Sequence, residues 1–216
     1  MKFFLDSTNI AEISKAVDSG LVDGVTTNPT LIAKSGRDTI SIISEIAQIV
    51  NGDISAEIFA NDYGNILKEA EILYNISEKI VLKLPLTQDG LRACKFFSSQ
   101  GKKTNVTLCF SPAQALLAAK VGATYISPFI GRLDDIGEDG IQLIYNIKDI
   151  YNNYDFKTKI LAASIRSTDH VIESALAGSD YITLPFKILN ELYHHDLTDK
   201  GLEIFNKDAA SVKPLI

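Results

Sequence analysis

The chain has 216 residues, 46% hydrophobic and 22% charged, a composition that can bury a sizeable core without disulfides or a structural metal. Acidic residues outnumber basic ones, 27 to 21, and the net charge of −6 argues against a nucleic-acid protein built on a basic face. Thirteen glycines and six prolines exclude a collagen-like or low-complexity chain.

Short apolar runs alternate with segments of helical period. The spacing predicts a strand at Phe3–Asp6 and a helix at Ile10–Ser19, then Gly24–Thr27 with Thr39–Val50, and Ile54–Phe59 with Asp62–Tyr74. It continues with Ile80–Leu84 and Gly90–Gln100, Thr104–Leu108 and Pro112–Val121, and Tyr125–Phe129 and Gly140–Asn152. Ile160–Ser164 with Thr168–Ala177 and Tyr181–Leu184 with Phe186–Tyr193 complete the series. Strands alternating with helices imply parallel βαβ units. Eight units of about 27 residues fit an α/β fold, a compact (β/α)₈ TIM barrel forming one domain over residues 1–216. The competitor, a doubly wound open sheet, usually carries a glycine-rich turn after its first strand. Here Ser7-Thr8-Asn9 stands there instead.

Local signals agree. Asn9 and Glu12 read as a capping-box variant, and Ser111-Pro112 as a cap followed by proline at the first helical position. Gly20, Gly122 and Gly178 each read as the close of a helix. No apolar run approaches the roughly 18 residues of a membrane span. Asp6 interrupts any signal-peptide core, so no leader is expected. Two cysteines, Cys94 and Cys109, suit a reduced, cytoplasmic protein. His170, His194 and His195 sit at no familiar metal-ligand spacing, so no metal is expected. The His194-His195 pair reads as the end of a surface helix, and residues 133–139 as a solvated acidic loop.

Parallel strands covered on both faces should be almost continuously apolar. The exceptions cluster at C-terminal ends: Asp6, then Thr26, Thr27 and Asn28, Glu57, Lys83, Asn105 with Thr107, Ser127 with Phe129, and Ser164. In a barrel those ends share one mouth, where the active sites of this fold lie. Lys83 interrupts Ile80-Val81-Leu82 and Leu84-Pro85. Burial disfavours the charged amine, and a neutral amine can attack a ketone to form a Schiff base. The alternative is an edge or snorkelling lysine, but a closed barrel has no edge. Asp6 and Glu57 can move protons beside it; capping for Asp6 and a structural ion pair for Glu57 are the rivals. Arg132 and Arg166 follow adjacent strands, and Ser164-Ile165-Arg166-Ser167 opens a helix, a setting suited to phosphate. Pairing of Arg132 with Asp134 or Asp135 is the rival. Cys109 is expected on the face of Asn105 and Thr107 as a small buried side chain.

These motifs carry a family resemblance over nearly the whole chain. Phe4-Leu5-Asp6-Ser7-Thr8-Asn9, Gly24-Val25-Thr26-Thr27-Asn28-Pro29 and Val81-Leu82-Lys83-Leu84-Pro85 resemble the transaldolases, in their short bacterial form related to fructose-6-phosphate aldolase. So do Thr104-Asn105-Val106-Thr107-Leu108, Ser127-Pro128-Phe129-Ile130-Gly131-Arg132 and Leu161-Ala162-Ala163-Ser164-Ile165-Arg166. The resemblance implies Lys83 as the Schiff-base lysine, Asp6 as the proton carrier at C–C cleavage, and Glu57 with Thr107 around a catalytic water. It implies Asn28, Asn105 and Ser127 on the hydroxyls of a dihydroxyacetone unit, and Arg132, Ser164 and Arg166 on phosphate. Thr26 belongs to the same substrate-facing motif.

Glu57 and Phe129 match the transaldolases; the aldolases carry glutamine and tyrosine there. A carboxylate can act as a base where an amide cannot. The implied reaction transfers a dihydroxyacetone unit between sugar phosphates with no cofactor. A lyase releasing dihydroxyacetone and a non-catalytic sugar-phosphate binder remain the alternatives. The resemblance also implies a homo-oligomer, pentamer or decamer, with the C-terminal helical segment, residues 196–216, packing on a neighbour. No membrane or nucleic-acid partner is expected.

Overall fold

The computed structural model describes residues 1–212, so the end of the tail, from Lys213 on, lies outside the described residues. Eight parallel strands close into a barrel in sequence order: β1 (Lys2–Asp6), β2 (Gly24–Thr26), β3 (Asp53–Glu57), β4 (Ile80–Pro85), β5 (Thr104–Cys109), β6 (Tyr125–Pro128), β7 (Lys159–Ala162) and β8 (Tyr181–Leu184). Closure comes from β1, which pairs with β2 on one side and β8 on the other. The helices are α1 (Ile10–Asp18), α2 (Pro29–Ser35), α3 (Thr39–Ile49), α4 (Tyr63–Tyr74), α5 (Gln88–Ser98) and α6 (Pro112–Lys120), followed by α7 (Ile130–Asp134), α8 (Gly140–Asn153), α9 (Thr168–Leu176), α10 (Phe186–Glu191) and α11 (Asp196–Ala209). None is long and apolar enough to cross a membrane, among the described residues.

Two separate apolar clusters follow from the period-two alternation of the strands. Outward residues such as Leu5, Val25, Ile54, Leu82, Val106, Ile126 and Ile160 join the helix faces in the main core. Inward residues form a smaller plug of Phe4, Val81, Tyr125 and Leu161, with Tyr181 packed against it. Phe4, Tyr125 and Tyr181 meet edge to face with centroids 5.0–5.9 Å apart. Gly24 makes room for this plug: a Cβ there would lie 2.6 Å from the Phe4 ring.

Moving two residues towards the C-terminal end of four of the five plug strands changes the chemistry. Phe4 gives way to Asp6, Val81 to Lys83, Tyr125 to Ser127 and Tyr181 to Thr183. The barrel is therefore sealed by aromatic and aliphatic groups below and lined by polar groups above. This vertical division is the fold's main contribution to function.

The caps explain where helices start. Asn9 accepts from the N–H groups of Ala11 and Glu12, as its position suggests. The reciprocal arm differs from a capping box: Asn9 N–H donates to Ser7 Oγ, and the Ser7 hydroxyl donates to Glu12 at 2.7 Å. Ser111 caps α6 ahead of Pro112. Gly20, Gly122 and Gly178 all have φ between +74° and +84°, the left-handed conformation that ends helices cheaply only at glycine.

Several expectations need correction. The short helices α2 and α7 stand where no helix is expected; α2 starts from an Asn28 cap and Pro29, the same signature recognised at Ser111-Pro112. Residues 133–139 are not simply a solvated loop, because Leu133 and Asp134 end α7 and Asp134 accepts the N–H of Gly140. His195 starts a helix instead of ending one, its Nδ1 accepting from Leu197 N–H at the head of α11. The expected C-terminal helical segment is α11, which has no buried residue and exposes Leu197, Leu202, Ile204 and Phe205.

Candidate active site

A cavity of about 520 Å³ opens at the C-terminal mouth of the barrel. Asp6, Thr26, Asn28, Glu57 and Lys83 line its floor and near wall; Ser127, Phe129, Arg132, Ser164 and Arg166 line the far side. The structure thus gathers residues scattered over 160 positions into one chamber. Asn105 and Thr107 lie behind the wall, fully buried.

Lys83 stands at the centre, with its side chain 6% exposed. Pairing of Glu57 with Lys83 across β3 and β4 sets the two side chains beside each other on the inner face. Lys83 Nζ lies 2.9 Å from Glu57 Oε2 and donates to the Thr27 carbonyl at 3.1 Å. A buried cation needs such a partner, since desolvation alone costs several kcal/mol per ion. The structural-pair reading of Glu57 is therefore met, and it coexists with an opening to the cavity.

Asp6 accepts from the Thr26 hydroxyl at 2.8 Å and from Asn28 Nδ2 at 3.4 Å. Thr26 also shares a 2.6 Å hydrogen bond with Thr183. Asn28 cannot swing away freely, because its Oδ1 caps α2 through Leu31 N–H. Asp6 itself caps nothing in these contacts; Asn9 does that work. Removal from water pushes the Asp6 carboxyl above its ordinary pKa, and the Lys83 charge, Thr26 and Asn28 oppose that shift. The result is a carboxyl poised to exchange protons beside an amine.

Behind Lys83 runs a buried polar chain. Ser127 donates to Asn105 Oδ1 at 2.8 Å, and Asn105 Nδ2 donates to Ser55 Oγ at 2.9 Å. This fixes the Asn105 amide and presents Ser127 to the cavity. The Thr107 hydroxyl is buried without a hydrogen-bond partner among the described residues. An orphan hydroxyl in such a place is a natural seat for a water.

The far rim is built by close contact between two loops. Gly131 lies against the β7–α9 turn; a Cβ there would meet Ser164 O at 2.4 Å and Arg166 Nε at 2.7 Å. Ser164 has φ +60°, which turns it out of strand geometry after β7 ends at Ala162. Its expected place at the end of the seventh strand is corrected accordingly. Arg132 lies over the Phe129 ring, 5.1 Å from its centroid, and Phe129 packs edge to face on Phe110. The expected rival pairing of Arg132 with Asp134 or Asp135 does not occur. Asp135 instead clasps Arg166, whose hydrogen bonds, with its charge behind them, hold the Asp135 carboxyl below the usual range. Ser167 caps α9 through His170 N–H.

Cys109 is also corrected. The β5–β6 register shifts between Val106 and Cys109, and Leu108 has φ +62°. That irregularity turns Leu108 into the cavity and puts Cys109 in the outer core. Burial raises its thiol pKa to about 12. Ser55, Thr183 and the Thr27 carbonyl were missed as site elements. For Ser55 and Thr183 the signal was available: each lies on the inward face, two residues from another polar or aromatic inward residue.

Taken together, an enclosed amine and two nearby carboxyls can add to a ketone and move protons on the adduct. Two guanidiniums at the far rim can take an anion.

Known proteins resemble the chain over nearly its whole length. Residues 3–214 match the family model described as Transaldolase/Fructose-6-phosphate aldolase. The chain is 58% identical over 210 residues to a protein of Paracoccus denitrificans named "Probable transaldolase", with 97% of each chain covered. Proteins with the same name from Brucella ovis and Bartonella bacilliformis are 57% and 56% identical over the same span and coverage.

The elevated Asp6 pKa has a consequence for stability. A native carboxyl that holds its proton more tightly than the unfolded chain loses stability as pH rises through its native pKa. An Asp6→Asn variant lacks that loss. In urea titrations it is expected to equal or exceed the parent at pH 7 to 8, with its relative advantage shrinking as pH falls towards 4. A variant less stable than the parent at neutral pH, with an unchanged gap on acidification, contradicts the assignment.

Proposed function

Because the chain belongs to the transaldolase/fructose-6-phosphate aldolase family, we propose that it is a transaldolase of the pentose phosphate pathway, moving a dihydroxyacetone unit through a Schiff base on Lys83. The observation that carries this reading is the ion pair of Lys83 with Glu57, buried yet facing the cavity that holds Asp6. Donors are fructose 6-phosphate or sedoheptulose 7-phosphate; acceptors are erythrose 4-phosphate or glyceraldehyde 3-phosphate.

Glu57 takes a proton from the ammonium, leaving the Lys83 amine free to add to the C2 ketone. Glu57 returns that proton to the C2 hydroxyl of the adduct, which leaves as water and gives an iminium. Glu57 and Thr107 hold the water that leaves here and returns at hydrolysis, which gives the unpartnered Thr107 hydroxyl a use. Asp6 removes the C4 hydroxyl proton, the C3–C4 bond breaks, and its electron pair moves into the iminium to give an enamine. The departing aldose phosphate is replaced by an acceptor aldose phosphate, whose aldehyde carbon receives the same pair. Asp6 returns the proton to the new alkoxide.

Asn28, Ser127 and Thr26 read the hydroxyls of the three-carbon unit, and Asn105, buried behind Ser127, acts on them through the Ser127 hydroxyl. Arg132, Ser164 and Arg166 take the phosphate. Phe129 closes the space over the enamine without offering an acidic hydrogen. That favours transfer over release, because free dihydroxyacetone needs the enamine carbon to be protonated. The two unpaired, buried thiols suit a reducing cytoplasm.

The same reading extends to assembly. Helix α11 exposes Leu197, Leu202, Ile204 and Phe205 with nothing buried beneath them, an arrangement suited to the surface of a second copy. The protein is read as a homo-oligomer, pentameric or decameric, joined in part through this helix.

With fructose 6-phosphate as donor, glyceraldehyde 3-phosphate formation is expected to depend on added erythrose 4-phosphate, falling at least about 100-fold without it. Comparable rates with and without the acceptor would make the protein a lyase. Light scattering on the intact chain should give a mass of at least five subunits, and Phe205→Asp should reduce it. A monomer would overturn the oligomer reading.

A further inference from the structure

The two arginines at the far rim are not in the same state. Among the described residues no carboxylate is ion-paired with Arg132. Arg166 is engaged through its fork: its Nη1 and Nη2 each bond a different oxygen of Asp135, the Nη2–Oδ2 distance being 2.6 Å. The clasp is anchored from both sides. Asp135 is the C-cap of α7, its N–H bonded to Gly131 O. Its neighbour Asp134 reaches His170 Nε2 at 3.0 Å, and His170 Nδ1 accepts the Arg166 N–H at 3.3 Å.

A carboxylate on both terminal nitrogens of a guanidinium occupies the fork that a phosphate would use. We propose that Asp135 is a resident anion of the phosphate subsite, a specificity-determining residue that incoming substrate must displace from Arg166. The proposal rests on the reading above that Arg132, Ser164 and Arg166 receive the sugar's phosphate.

The physical argument is one of exchange. Side-chain exposures of 48% and 50% make the clasp a weak, salt-screened pair that can open at little cost. A sugar phosphate brings two negative charges to two guanidiniums, whereas Asp135 brings one charge to one. A dianion therefore displaces the carboxylate, while singly charged or neutral groups compete poorly with it. Without substrate, the clasp holds Arg166 at the rim.

The test compares Asp135→Asn with the parent, using fructose 6-phosphate and unphosphorylated fructose as donors and inorganic phosphate as competitive inhibitor. The expected result is a two- to fivefold fall in KM for fructose 6-phosphate and in Ki for phosphate, about the worth of an exposed pair. The fall should shrink at high salt, and KM for fructose should not move with it. Asp135→Ser is expected to behave alike. A KM for fructose 6-phosphate that rises or stays level in both variants overturns the proposal. Arg166→Ala separates the two readings. If it leaves the preference for the phosphorylated donor intact, the phosphate-site reading fails. If it abolishes that preference while Asp135→Asn changes nothing, only the exchange proposal fails.

Discussion

A lysine ammonium inside a closed barrel must find its counter-charge and acceptors within the wall, because the barrel has no edge from which it can reach solvent. The placement of Lys83 therefore constrains its surroundings. Glu57 is its partner one strand away, at the pairing position that directs both side chains inward. The Thr27 carbonyl supplies a second contact because β2 ends one residue earlier and leaves that carbonyl free of the ladder. Asp6 faces the pair from β1, held by Thr26 and Asn28.

The aromatic plug and the polar chamber are two consequences of one alternation. Each inward position belongs to one of two layers, and the lower layer seals the barrel so that the upper one can be shielded from bulk water on all sides but the mouth. Shielding strengthens the field of the Lys83–Glu57 pair and raises the Asp6 pKa. It also demands hydrogen-bond partners for neutral groups, which is why Ser55, Asn105 and Ser127 form a continuous chain across three strands. Stability and reactivity thus draw on the same buried polar groups, as sites with perturbed carboxyls commonly do.

The eightfold alternation was legible because strands with apolar cores and helices with clear caps repeat at near-constant spacing. Lys83 was legible for the opposite reason: it breaks an otherwise apolar strand. The short helices α2 and α7 were not, since five to seven residues are too few to show a helical period. The left-handed Leu108 was equally hidden, because leucine gives no signal for positive φ, and without it the period-two rule places Cys109 on the wrong face. Ser55 and Thr183 carried a usable signal in their inward spacing, two residues from Glu57 and Tyr181, but their partners Asn105 and Thr26 lie on other strands. The Asp135–Arg166 clasp joins positions far apart in sequence and depends on α7. Local pairing rules pointed instead to the nearby Arg132.

The central claim is that Lys83 forms a covalent adduct with the three-carbon unit of the donor. The most direct measurement is borohydride reduction of the intact protein incubated with fructose 6-phosphate, followed by whole-protein mass and peptide mapping. The account predicts one reduced three-carbon adduct per chain, located on Lys83 and lost in Lys83→Met. A folded protein that gains no adduct, or gains it on another residue, contradicts it.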